Sequence, residues 1–297
     1  MSSSPHLLDR EFLKTLEQVT LLCRTDLKGA MGAEHRSRTR GPGAEFTDYR
    51  RYSQGDDPRS LDWNAYLRLG KLFLKIYETE QYVPVRILLD CSESMDCEGA
   101  AESKFLYGQR LAATFAYLAL LNLDTVALVP FAERLHKPLV VSGGRDRFWP
   151  VLQFLAGLSS GGGTDLFRTA KEFIGNFTSK GMAILISDFY DEAGCQRTVE
   201  MLRSSGHDFV LVQVHSAEEQ SPSASGELIL EDVETGAHCS VECSPANTQI
   251  YESKFAEFSE GIQRLALRNG GRYARAVTNL PYQDFVLRSL RSGRVLA

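Results

Sequence analysis

The sequence predicts an open, mostly parallel α/β sheet covered by helices on both faces, and three observations carry that expectation. Beyond residue 84, short apolar runs alternate with segments of helical period, the sequence pattern of a sheet built from strand–helix–strand units. The runs are continuously apolar, as strands buried on both faces must be. Polar residues gather directly after the C-terminal ends of several runs, where open α/β sheets hold their ligands.

The elements follow in order. Leu8, Phe12, Leu16, Val19 and Cys23 recur at three- or four-residue spacing and predict an N-terminal helix to about Gly29. From Glu34 to Arg59 the periodicity stops and Gly, Pro, Arg and Asp dominate, which reads as a long loop. A strand is expected over 72–77 and a buried strand over 85–90, Val-Arg-Ile-Leu-Leu-Asp. A helix over 103–122 carries Phe105, Leu111, Phe115 and Leu118. Strands then fall at 124–131, 181–187 and 208–215, and helices at 146–157, 165–177 and 195–205. A short antiparallel pair is expected over 134–141. Two alternating runs around Ile229 and Val241, joined by Glu234-Thr235-Gly236, predict a hairpin insertion at about 222–247. A helix from about Ile250 to Arg268, a strand at 272–277 and a helix from Tyr282 to Arg291 complete the chain. The expected organisation is an N-terminal helix and motif-rich extension, 1–80, followed by the α/β domain, 81–297.

Composition narrows the function. Apolar residues at 43% and charged residues at 24% are ordinary for a globular chain of 297 residues. The longest nearly uncharged apolar stretch, Leu111 to Leu123, is shorter than the roughly 20 residues that cross a bilayer, so no membrane span is expected. Asp9, Arg10 and Glu11 stand where a secretory signal would place its apolar core, so the expected location is cytoplasmic. The six cysteines include no Cys-x-x-Cys pair and read as reduced thiols. A net charge of −5 speaks against nucleic acid as the partner, although residues 34–75 hold nine Lys/Arg against six Asp/Glu, net +3, leaving −8 elsewhere. Trp63 and Tyr66 in that segment are expected to be buried anchors, with Asp62 among the acidic residues that cap a short helix there.

The chemistry concentrates at three strand ends. Asp90, Ser92 and Ser94 alternate as the chain leaves the strand over 85–90 and can aim their oxygens at one spot. Gly161-Gly162-Gly163 permits tight turns ahead of Thr164 and Asp165. Ser187-Asp188 follows the buried strand Ala183-Ile184-Leu185-Ile186. Two carboxylates, Asp90 and Asp188, with the hydroxyls of Ser92, Ser94 and Thr164 form an all-oxygen, hard donor set suited to Mg²⁺ or Mn²⁺. Such an ion keeps open positions that a partner's carboxylate can fill. Without it, Asp90 and Asp188 should repel each other and one pKa should rise. Cys91, beside Asp90, is a poor nucleophile because neighbouring carboxylates disfavour its thiolate. The histidines His136, His207, His215 and His238 lie on separate elements and suggest neither a zinc site nor a catalytic base.

The Asp-x-Ser-x-Ser string, the distant Thr in a glycine-rich loop and the Asp after a strand together resemble the metal-ion-dependent adhesion site of von Willebrand factor A-like domains. By that resemblance Asp90, Ser92, Ser94, Thr164 and Asp188 carry the metal. Gly43-Ala44-Glu45-Phe46-Thr47-Asp48-Tyr49-Arg50-Arg51-Tyr52, Gly55-Asp56-Asp57-Pro58-Arg59 and Asp62-Trp63-Asn64-Ala65-Tyr66-Leu67-Arg68-Leu69-Gly70-Lys71 resemble the hallmark of a bacterial family known as domain of unknown function fifty-eight. Many members carry two membrane spans ahead of this region, and this chain is similar to a short form without them. The resemblance implies a non-enzymatic adaptor or chaperone partner of a MoxR-type AAA+ ATPase, binding a protein that presents an acidic side chain. Two alternatives stand beside it. One is an Mg-dependent phosphohydrolase of the haloacid-dehalogenase type, against which Ser92 stands where that chemistry needs a second Asp. The other is a metal-free structural scaffold.

Overall fold

A computed structural model describes residues 7–19, 21, 44–53, 61–79, 83–96, 102–223, 226–233, 236–290 and 295–296. The chain divides into two compact units, Lys28–Tyr82 and the combination of Met1–Leu27 with Val83–Ala297.

In the smaller unit, strand β1 (Ala44–Arg51) pairs antiparallel with β2 (Phe73–Thr79), with a bulge between Phe46 and Asp48. The sequence pattern placed 44–51 in a loop; pairing with β2 supplies what its own polar residues do not signal. Between the strands, helix Trp63–Leu69 starts at Asp62, whose side chain accepts the backbone N–H groups of Asn64 and Ala65. Tyr49 Oη donates to Asp62 Oδ2 at 2.8 Å and ties that cap to β1. The helix closes on Gly70, whose φ of 64° is the left-handed conformation that glycine adopts without strain. Trp63 and Tyr66 are exposed, the former at 60%, and stack edge to face on each other. They are not buried anchors. The helix turns Ala65 inward instead, because its short length leaves only one face for β1 and β2.

The larger unit is built on a six-stranded sheet, with strands β3 (Val85–Asp90), β4 (Val126–Phe131), β5 (Leu139–Val141), β6 (Met182–Ser187), β7 (Asp208–His215) and β10 (Arg272–Val277). Their spatial order is β10-β7-β6-β3-β4-β5, all parallel except the short β5, which runs antiparallel to β4. The expected fold class is therefore observed: mixed α/β, with a mostly parallel sheet flanked by helices. Of the antiparallel pair expected over 134–141, only 139–141 forms a strand, and it pairs with β4 itself.

Both faces are covered. Val85, Ile87 and Leu89 of β3 share one apolar cluster with Leu111, Phe115 and Leu118 of helix Lys104–Leu121 and with Val151 and Leu155 of helix Phe148–Ala156. Leu88 joins the other cluster, with Phe173 of helix Leu166–Asn176, Val199 and Leu202 of helix Glu192–Ser204, and Ile262 of helix Pro245–Arg268. The continuous apolar runs are thus explained, since each strand faces helices on both sides. At about 1.5–3 kcal/mol for each fully buried aliphatic side chain, these two layers dominate the stability of the unit.

The N-terminal helix spans Arg10–Leu16, and its Phe12 meets Tyr282 edge to face. The expected continuation to Gly29 falls mostly outside the described residues. Helix Pro245–Arg268 begins five residues before the expected Ile250, because Ser244 caps it and Pro245 suits its first position. The insertion forms a hairpin of β8 (Gly226–Glu231) and β9 (His238–Cys243). The last helical segment opens as one α-turn, Tyr282–Asp284, and continues as a π-helix over Phe285–Ser289. Among the described residues, no helix is long and apolar enough to cross a membrane.

Candidate functional site

The topology itself opens a crevice. From β3 the chain passes outward to β4 and β5, then returns to place β6 on the other side of β3. At this switch point the connections leave in opposite directions, so space remains beyond the C-terminal ends of β3 and β6. Leu89 is paired with Ile186, which brings Asp90 and Ser187 side by side at that edge.

Asp90 is fully buried. Its Oδ1 accepts the backbone N–H of Ser92 at 2.9 Å and its Oδ2 accepts the hydroxyl of Ser187 at 2.6 Å. Burial and, next, the charge of Asp188 raise the Asp90 pKa to about 7, against the pull of the Ser187 and Ser92 hydrogen bonds. The repulsion expected between the two aspartates is present. The hydroxyls of Ser92 and Ser94 lie 3.1 Å apart, both buried. Cys91 is buried beside them, and burial followed by Asp90 pushes its thiol up to about 12, so it is no nucleophile near neutral pH.

The glycine-rich loop is laced to this strand end by its backbone. Gly161 N–H donates to Cys91 O at 2.8 Å, and Glu93 N–H donates to Gly162 O at 2.9 Å. Gly162 does so at φ 82°, a conformation that a side chain would strain. Thr164, carried at the end of this loop, lines a cleft of about 520 Å³ together with Ser94 and Asp188. Asp165 does not enter the cleft lining; it caps helix Leu166–Asn176 by accepting Arg168 N–H. After β6, Phe189 adopts φ 62° with its N–H on Ser187 Oγ at 3.0 Å, a tight corner that presents Asp188.

Three contributors escaped the sequence reading. Lys104 is buried, and its ammonium donates to Asp188 Oδ2 at 2.8 Å and to Glu219 Oε1 at 2.6 Å. Burial alone works against its charge, but Asp188 and Glu219 outweigh it and hold the Lys104 pKa above the ordinary value. Glu219 also closes a capping box with Ser216, a pattern legible as Ser-x-x-Glu. Tyr190 lies under the Lys104 ammonium at 5.1 Å and stacks on Phe258. Asp191, Glu231, Asp232 and Val233 complete the cleft wall.

The donor set can be tested for a divalent ion. Adjacent vertices of an octahedron with bonds of about 2.1 Å stand about 3 Å apart, and the Ser92 and Ser94 hydroxyls match that spacing. Asp188 and Glu219 share the one Lys104 ammonium, so these three groups carry a net charge of −1 when all are ionised. Oxygen donors of this kind could hold Mg²⁺ or Mn²⁺. Among the described residues no three His, Cys, Asp or Glu side chains gather as a metal cluster, so any ion here would depend on the hydroxyls.

Fold and crevice together define a mixed α/β domain with a polar cleft at its switch point. More specifically, residues 48–260 match the family model described as Protein of unknown function DUF58, and the chain belongs to that family. The uncharacterized protein Rv1480 of Mycobacterium tuberculosis is 25% identical over 252 residues, covering 79% of this chain and 74% of that protein. Among solved structures, the conserved hypothetical protein BatB from Bacteroides thetaiotaomicron is 17% identical with a TM-score of 0.43, covering 71% of this chain and 98% of its own. The SpRpn10 VWA domain is 11% identical with a TM-score of 0.39, covering 70% and 96%.

Proposed function

We propose that this chain is a non-enzymatic protein-binding module whose contact site is a divalent-ion centre at the switch-point crevice. Asp90, Ser92, Ser94, Thr164 and Asp188 would hold Mg²⁺ or Mn²⁺, with the serine and threonine hydroxyls and the carboxylates as donors. The bound ion supplies a positive centre with an open position, and a partner's acidic side chain completes it. The observation that carries the reading is the paired Ser92 and Ser94 hydroxyls, 3.1 Å apart beside two buried aspartates. Asp191, Glu231 and Asp232 on the cleft wall add a condition. They would repel a bare acidic segment, so the partner's carboxylate should be flanked by Lys or Arg.

Family resemblance points to a MoxR-type AAA+ ATPase as the candidate partner. The test is co-purification of the chain with the MoxR-type ATPase of the same organism, in Mg²⁺ and in chelator, beside the Asp90→Ala variant. Association in Mg²⁺ alone, lost in Asp90→Ala, supports the reading. Association that ignores both chelator and mutation contradicts it, as would Asp90-dependent turnover of phosphate esters.

A further inference from the structure

Lysine is ill suited to position 104 on local grounds. It is the first residue of helix Lys104–Leu121, after the Ser103 cap, where the positive end of the helix dipole disfavours a cation. Its side chain is only 3% exposed, so its charge has also lost most of its hydration. What holds it is outside its own helix: Asp188, Glu219 and the ring of Tyr190. Asp188 belongs to the oxygen donor set, whereas Glu219 does not. Glu219 is moreover fixed in place, since its Oε2 accepts the Ser216 backbone N–H at 2.7 Å while its Oε1 receives the lysine. An ammonium and a divalent ion cannot both take Asp188 Oδ2 at close range without strong mutual repulsion.

We propose that Lys104 is an exchangeable internal cation: its ammonium neutralises Asp188 while no divalent ion is bound, and it yields that carboxylate to the ion while staying on Glu219. The inference rests on the ion-binding reading above and specifies how that site is regulated. The lysine keeps the ion-free crevice from holding Asp188 and Glu219 uncompensated, and it sets a threshold concentration below which the ion does not enter.

The experiment is calorimetric titration of Mn²⁺ into the full chain and into Lys104→Met, Glu219→Gln and Asp90→Ala. Removing the competitor should tighten Mn²⁺ binding by roughly tenfold to a hundredfold, the usual range of coupling between two sites. Glu219→Gln should weaken it, because the ammonium is left with Asp188 alone. Asp90→Ala should abolish it. Equal or weaker binding by Lys104→Met, beside a wild type that binds, overturns the exchange and leaves the ion site standing. If Lys104→Met does not fold, Glu219→Gln decides, and unchanged or tighter binding overturns the proposal. Binding by Lys104→Met with none by the wild type also overturns exchange, since the ammonium would then be a permanent occupant. Absence of binding in every variant removes the ion-binding reading and this inference with it.

Discussion

Ser187→Ala isolates the support beneath Asp90. The Ser187 hydroxyl donates to Asp90 Oδ2 at 2.6 Å and accepts Phe189 N–H at 3.0 Å, and all three residues are buried. Alanine fills nearly the same space, so packing changes little and the loss is polar. A hydrogen bond to a charged group contributes about 1.5–3 kcal/mol, and a buried N–H left without its acceptor costs about 1–3 kcal/mol. Because both bonds share one oxygen, the two effects overlap, and a total of about 2–4 kcal/mol is expected. For a unit of this size each kcal/mol moves Tm by about 2–4 °C, so Tm should fall by roughly 4–16 °C. Urea and thermal unfolding of the two proteins measure it directly. A change within about 0.5 kcal/mol, typical of neutral surface substitutions, would refute the claim that Ser187 sustains a buried carboxylate and the turn at Phe189.

Three further outcomes follow from other parts of the chain. Asp62→Ala removes the cap of helix Trp63–Leu69 and the acceptor of Tyr49 Oη, together about 2 kcal/mol, and amide exchange in that helix should quicken about tenfold or more; unchanged exchange would show that the cap is immaterial. At Gly271 an added methyl would overlap the buried Phe209 ring, so Gly271→Ala should cost about 2–3 kcal/mol in urea unfolding, and a neutral result would mean that the ring moves freely. Burial and then Arg86 hold His207 below the ordinary histidine pKa, so the unfolded chain binds a proton that the folded chain refuses. That contribution is present above the ordinary value of 6.5 and is lost as pH falls from there through the lower folded value, so His207→Gln should lose less stability than the wild type as pH drops below 6.5; equal losses would contradict it.

The sheet was legible because each of its buried strands is a short apolar run ended by polar or glycine residues, a pattern that survives without tertiary knowledge. β1 was not. Its Glu45, Asp48, Arg50 and Arg51 hide the apolar signal, and the register shift between Phe46 and Asp48 breaks the period of two. The π-helix at Phe285–Ser289 escaped for another reason, since apolar spacing does not separate α from π turns over so short a segment. At the site, the oxygen donors were readable because they follow strand ends within a few residues. Lys104 was not, because its partners Asp188 and Glu219 lie 84 and 115 residues away and only the closed sheet brings them to it. Trp63 and Tyr66 were misjudged because size and aromaticity predict burial on average, whereas a seven-residue helix beside two strands buries only its Ala65 face.

Whether Asp90 anchors a divalent-ion site is open to direct measurement. Thermal unfolding of the wild type and of Asp90→Ala, first in chelator and then in millimolar Mg²⁺ or Mn²⁺, tests it most directly, because an ion bound only by the folded chain must raise its apparent stability. With the ion, Tm should rise in the wild type and stay unchanged in Asp90→Ala. No response in the wild type, or an equal response in both, would contradict it.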